Sequence, residues 1–136
     1  MFPLEFFIEG TPISLQASTR SKDRWRETVR RFASDRVQET VDWSFLEPRG
    51  VAVTIYYFPQ AEMQGDVDNI VKPILDGMIN VVCLDDRVVE RVLVQKFEPG
   101  IQRSFGAATR QLDDAWRKST PVVYIRVDDD LSWRTL

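Results

Sequence analysis

Two aspartate pairs, Asp66/Asp68 and Asp85/Asp86, flank a run of apolar residues, and Lys72 stands four positions after Asp68. Carboxylates are hard oxygen donors of the kind that Mg²⁺, Mn²⁺ and Ca²⁺ prefer. Several of them around one or two such cations serve phosphodiester hydrolysis, because the cation makes water nucleophilic and neutralises the charge developing at phosphorus. Lys72 falls on the same helical face as Asp68, one turn on. There it can stabilise a phosphate transition state or steer the attacking water. The Asp-x-Asp spacing alone is weak, since sugar transferases, phosphatases and calcium loops share it. In combination with Asn69, Lys72 and Asp85-Asp86 it is much more specific. Asp76, on the same stripe, reads as a supporting or solvated residue.

The absences narrow the chemistry. The chain has no histidine, which removes Ser-His-Asp and Cys-His catalysis. One cysteine and no histidine also make zinc a poor fit. Cys83 cannot form an internal disulfide, which suits a reducing compartment, and with no histidine beside it reads as a buried, inert thiol. No stretch approaches the ~18 apolar residues of a membrane span, and the N-terminus lacks signal-peptide character. A cytoplasmic, non-membrane protein is expected.

The formal net charge is -3, but it is unevenly spread. Arg20, Lys22, Arg24, Arg26, Arg30, Arg31 and Arg36 outnumber Asp23, Glu27 and Asp35 in one segment, giving it a local +4 and leaving the rest at -7. The first six of these are candidate DNA-phosphate contacts. A plain solvated helix face is the alternative.

To bring the two acid pairs together, the chain must fold back between them. Residues 2–9 read as a strand and 10–19 as a loop. Apolar spacing of three and four predicts a helix over 22–42. Residues 50–58 form the clearest strand, and 60–66 a loop. A second helix over 69–82 follows, starting near Asp68 or Asn69 as N-cap so that Pro73 lies in its first turn. Residues 88–97 read as a strand. Gly100, Ser104 and Gly106 suggest a loop, Thr109 to Lys118 a short helix, and 121–128 a last strand. The aromatics Trp25, Phe32, Tyr56, Tyr57 and Phe58 read as core. The sum is a single α+β domain over 1–128, a mixed β-sheet with two main helices. The tail 129–136 is expected to be loose, with Trp133 available to dock, and Asp128-Asp129-Asp130 reads as solvated rather than as a second metal site.

Asp66-Val67-Asp68-Asn69-Ile70-Val71-Lys72, followed by Leu84-Asp85-Asp86, resembles the RusA family of Holliday-junction resolvases, most strongly over about residues 50–97. The resemblance implies a homodimeric, Mg²⁺-dependent endonuclease (Mn²⁺ a possible substitute) that resolves four-way DNA junctions by paired symmetric nicks leaving 5′-phosphates, in recombination and repair. It implies catalytic roles for Asp66, Asp68, Lys72 and Asp86, with Asp66, Asp68, Asp85 and Asp86 at the metal. The chain departs from the better-known members in its overall acidity, and its loop Thr11 to Thr19 lacks their Asn- and Tyr-rich character. The rival readings are a nuclease for other branched DNA, an inactive module that binds DNA or a partner protein, and a calcium-stabilised interaction domain.

Overall fold

The computed structural model describes residues 2–40, 50–83, 85–100 and 105–132. Val41, Asp42, Leu84, Ser104 and Trp133 lie outside them, as does the side chain of Asp86. The elements in chain order are β1 (Leu4–Glu9), α1 (Thr19–Glu39), β2 (Val51–Phe58), α2 (Val71–Met78), β3 (Val89–Lys96), α3 (Arg110–Trp116) and β4 (Val122–Asp128). The strands form one sheet in the order β1-β4-β2-β3. β4 pairs antiparallel with β1 and with β2, while β2 and β3 are parallel. A parallel pair needs a crossover, and α2 supplies it. The expected α+β mixed sheet is therefore what forms, with α3 as a short third helix.

Strand alternation decides the two faces of the sheet. Leu4, Phe6, Ile8, Val53, Ile55, Val123, Ile125 and Val127 face α1 and α2 and form the main core with Trp25, Val29, Ile70, Ile74 and Met78. The opposite face carries a smaller cluster of Phe58, Tyr124, Val122, Leu112 and Ala115, flanked by Phe7, Tyr56, Phe97 and Phe105. Within that second layer Glu5 is buried; its carboxylate accepts from the Thr109 hydroxyl at 2.6 Å and from Tyr124. Of the aromatics expected in the core, Trp25, Tyr57 and Phe58 are buried and Phe32 and Tyr56 pack against it partly buried.

Helix α1 starts at Thr19 rather than Lys22, because the Ser18 hydroxyl accepts the Ser21 N–H at 3.2 Å and caps it. Helix α2 ends at Met78, four residues before the expected Val82. Asn80 takes φ 64, and the Met78 carbonyl accepts the N–H groups of Val81, Val82 and Cys83 in a tight turn. Val82 and Cys83 are still buried, but as a turn residue and a bridge partner of Ile79 rather than helical ones. Gly77 sets the distance between α1 and α2: a Cβ there would lie 2.7 Å from Val29 Cβ and 2.9 Å from the Arg26 carbonyl oxygen. Among the described residues no helix is long and apolar enough to cross a membrane.

Candidate active site

Strand β2 ends at Phe58, and the chain runs through a loop into a 3-10 turn, Val67–Ile70, that leads directly into α2. Asp66 sits before the turn in extended conformation, with φ -99 and ψ 144. The turn closes through backbone groups: Asn69 N–H donates to the Asp66 carbonyl at 3.1 Å. The Asn69 carbonyl in turn accepts Leu15 N–H at 2.7 Å, which pins the loop after β1 against the turn.

The expectation that Asp68 or Asn69 would cap the second helix is corrected here. Ile70 occupies the position before α2, and no side chain caps either the 3-10 turn or α2. Because the chain enters α2 through the turn, the usual role of an aspartate at a helix start is not used. Asp66 and Asp68 are exposed, and neither carboxylate has a hydrogen-bond or ion-pair partner among the described residues. Asp76, Asp85, Asp113 and Asp128 each pair with a basic side chain.

Lys72 pairs with Asp76 at 3.0 Å, and Asp76 also lies 3.5 Å from Arg26 Nε of α1. Asp76 is the more buried partner and anchors the lysine at the edge of the helix. The supporting role expected of Asp76 matches this geometry. Beyond α2, Asp85 accepts the Arg87 backbone N–H at 2.6 Å and pairs with the Arg87 guanidinium at 3.0 Å. These contacts with Arg87 hold its carboxyl below the usual carboxylate range, so it stays ionised. Asp86 opens a short 3-10 turn, Asp86–Val88, that leads into β3.

The two acid pairs thus leave opposite ends of α2, a helix of about 12 Å at 1.5 Å per residue. Among the described residues no group of three or more His, Cys, Asp or Glu could hold a metal ion. Asp66, Asp68 and Asp85 therefore do not gather by themselves, and the carboxylate of Asp86, the fourth expected ligand, lies outside the described residues. The donor set remains all oxygen, and two of its members are exposed and have no cationic partner among the described residues. Such a set fits a hard divalent cation. Cys83 is buried, and burial pushes its thiol up to about 11, as expected of an inert group.

The expected phosphate contacts divide in two. Arg26 turns to Asp76, and Arg30 donates to the Ile79 carbonyl at 2.9 Å, so both tie α1 to α2. Arg36 likewise donates to the Glu5 carbonyl at 2.8 Å. Arg20, Arg24 and Arg31 are exposed along α1, and Lys22 half-exposed.

A groove of about 290 Å³ opens beside Asp66. Pro12, Tyr57, Pro59 and Ile70 line it and are buried, while Gln64 and Asp66 are exposed lining residues. It has no counterpart in the sequence reading, because it joins three loops distant along the chain. Composition gave no sign of it beyond the prolines at 12, 59 and 121.

The sequence pattern of the family described as Endodeoxyribonuclease RusA matches residues 14–104, well over half of the chain. The chain belongs to the RusA endodeoxyribonuclease family. The match covers Asp66, Asp68, Lys72, Asp85 and Asp86 together with α1, the turn, α2 and β3. Only β1, α3 and β4, which complete the sheet and its second layer, lie outside it. Among curated proteins none matches the chain.

Proposed function

We propose that this RusA-family protein is a divalent-metal-dependent nuclease that cuts branched DNA, with the four-way junction as its preferred substrate and a two-fold homodimer as its working form. The observation that carries this reading is the state of Asp66 and Asp68. The fold exposes both carboxylates, and among the described residues neither caps a helix or pairs with a cation. Keeping two adjacent acids unneutralised costs repulsion, and a bound cation relieves it.

Asp66, Asp68 and Asp86 would hold Mg²⁺, with Mn²⁺ as a substitute, and Asp85, kept ionised by Arg87, completes the set. When bound, the cation supplies an activated water and offsets charge at phosphorus. Lys72, steadied by Asp76, presents its ammonium to a non-bridging phosphate oxygen. Arg20, Lys22, Arg24 and Arg31 meet the DNA backbone, while Arg26 and Arg30 fix the helix that carries them. A four-way junction has two-fold symmetry, so a two-fold dimer places one site on each of two opposed strands.

The test is cleavage of a synthetic four-way junction beside a matched linear duplex, with Mg²⁺ or with EDTA. The expected result is paired nicks in the junction that need Mg²⁺ and fall at least a hundredfold in Asp68→Asn. No cutting of any DNA by the folded protein would leave a binding module as the better account. A nuclease for flaps or forks is the second reading; the net charge of -3 favours it, since a smaller phosphate contact area suits a less basic protein. It predicts that those substrates are cut faster than the junction.

A further inference from the structure

The groove beside Asp66 is a built cavity. Its walls are pinned by hydrogen bonds: Gly10 N–H to the Pro121 carbonyl at 2.7 Å, Gln60 Nε2 to the Thr120 carbonyl at 3.1 Å, and Met63 N–H to the Glu98 carboxylate at 2.7 Å. Tyr57 and Thr11 both line it, with the Thr11 side chain offsetting part of the rise that burial gives the Tyr57 hydroxyl. Each contact joins separate loops, so the groove is fixed before anything enters it, which lowers the ordering cost of binding.

Its chemistry selects the occupant. No lysine or arginine lines it, and Glu62 and Asp66 do. A phosphate would meet only negative charge there. Prolines, Ile70 and the Tyr57 ring give apolar walls, and Thr11, Gln60 and Gln64 offer hydrogen-bonding groups. Neutral, flat and polar at its edge is the description of a nucleobase. A volume of about 290 Å³ is at the small end of ligand pockets, room for one such group.

We propose that this groove receives one unpaired nucleobase of the DNA strand being cut, next to the phosphate that a cation on Asp66 and Asp68 would engage. The inference rests on the nuclease reading above and adds to it a source of selectivity. A base can enter only after leaving its stack, which is costly in a regular duplex and cheaper where stacking is already interrupted. Branched DNA is then favoured by the base that it releases, independently of its overall shape.

The test pairs a change in the DNA with a change in the protein. Four-way junctions carry one abasic site, moved a nucleotide at a time along the strand around the nick, and binding is measured in EDTA so that the strand stays intact. At one position the abasic junction should bind the wild-type protein about tenfold more weakly than the intact junction. Ala61 is an exposed lining residue, so Ala61→Trp fills the groove without disturbing the core. In that variant the intact and abasic junctions should bind alike. Equal binding of every abasic junction by the wild type, or a penalty that persists in Ala61→Trp, would overturn the proposal while leaving preference for junction over duplex intact. Absence of that preference in both proteins would overturn the parent reading and this one with it.

Discussion

Asp68 keeps its carboxylate in solvent because the turn that carries it closes on backbone atoms alone. With no partner for its exposed side chain among the described residues, Asp68→Asn should change stability by less than about 0.5 kcal/mol. Thermal melting would check this. A loss well beyond that would mean the carboxylate has a structural role. Lys72 and Asp76 differ in kind: their pair is partly exposed and worth a few tenths of a kcal/mol, so its value lies in where it holds the ammonium. Cys83 titrates in the direction opposite to an acid held ionised. Burial raises its thiol from 9.0 to about 11, so the folded protein holds the proton more tightly than the unfolded chain does. The stability this represents is fully present below pH 9.0 and is lost as the pH rises through about 11. Tyr124, also raised by burial and by the neighbouring Glu5, adds loss in the same alkaline direction. Denaturant titrations between pH 8 and 11 should therefore show a steeper fall in the wild type than in Cys83→Ala.

At the scale of elements, the join between α1 and α2 governs where the acids stand. Gly77 allows the close approach, and a methyl group there would meet Val29 and the Arg26 carbonyl. Gly77→Ala should destabilise the fold by about 1–3 kcal/mol through overpacking, despite alanine's better helix propensity. Adding Val29→Ala should recover part of that loss, and a purely additive double variant would contradict the packing account. Periodicity made β2, α1 and α2 legible in the sequence, because each buries one regular face. The ends of the helices were less legible. Ser18 caps α1 so that it starts at Thr19, three residues ahead of the expected Lys22 and before the apolar pattern begins at Trp25, and the turn at Asn80 stops α2 while Val82 and Cys83 continue into the core, where their apolar character mimics more helix. Asp66, Asp68 and Lys72 were legible as a spacing of residue types. The groove, the anchoring of Arg26 and Arg30, and the Asp85–Arg87 pair were not, since each depends on contacts that only the folded chain brings together or aims.

For the whole molecule, the uneven charge gains meaning from the sheet. The cations of α1 that face solvent lie on the helical side with α2, the element that links the two acid pairs. The second layer over the opposite face gathers around α3 and β4, outside the span matched by the family. Phosphate binding through a few exposed cations should weaken steeply with salt. Replacing Arg24 and Arg31 together by alanine should weaken junction binding and flatten its salt dependence by about two units of slope in log K against log salt concentration. A two-fold dimer should also cut both strands of one junction within a single binding event, and a monomer at micromolar concentration in gel filtration would count against paired nicking. Asp66 and Asp68, which no described residue neutralises, would hold the divalent cation. Electron paramagnetic resonance of Mn²⁺ titrated into the wild-type protein and into Asp66→Asn/Asp68→Asn tests it without any DNA. Saturable binding in the wild type, lost in a double variant that melts at the same temperature, is the predicted result; equal Mn²⁺ binding by both proteins would contradict it.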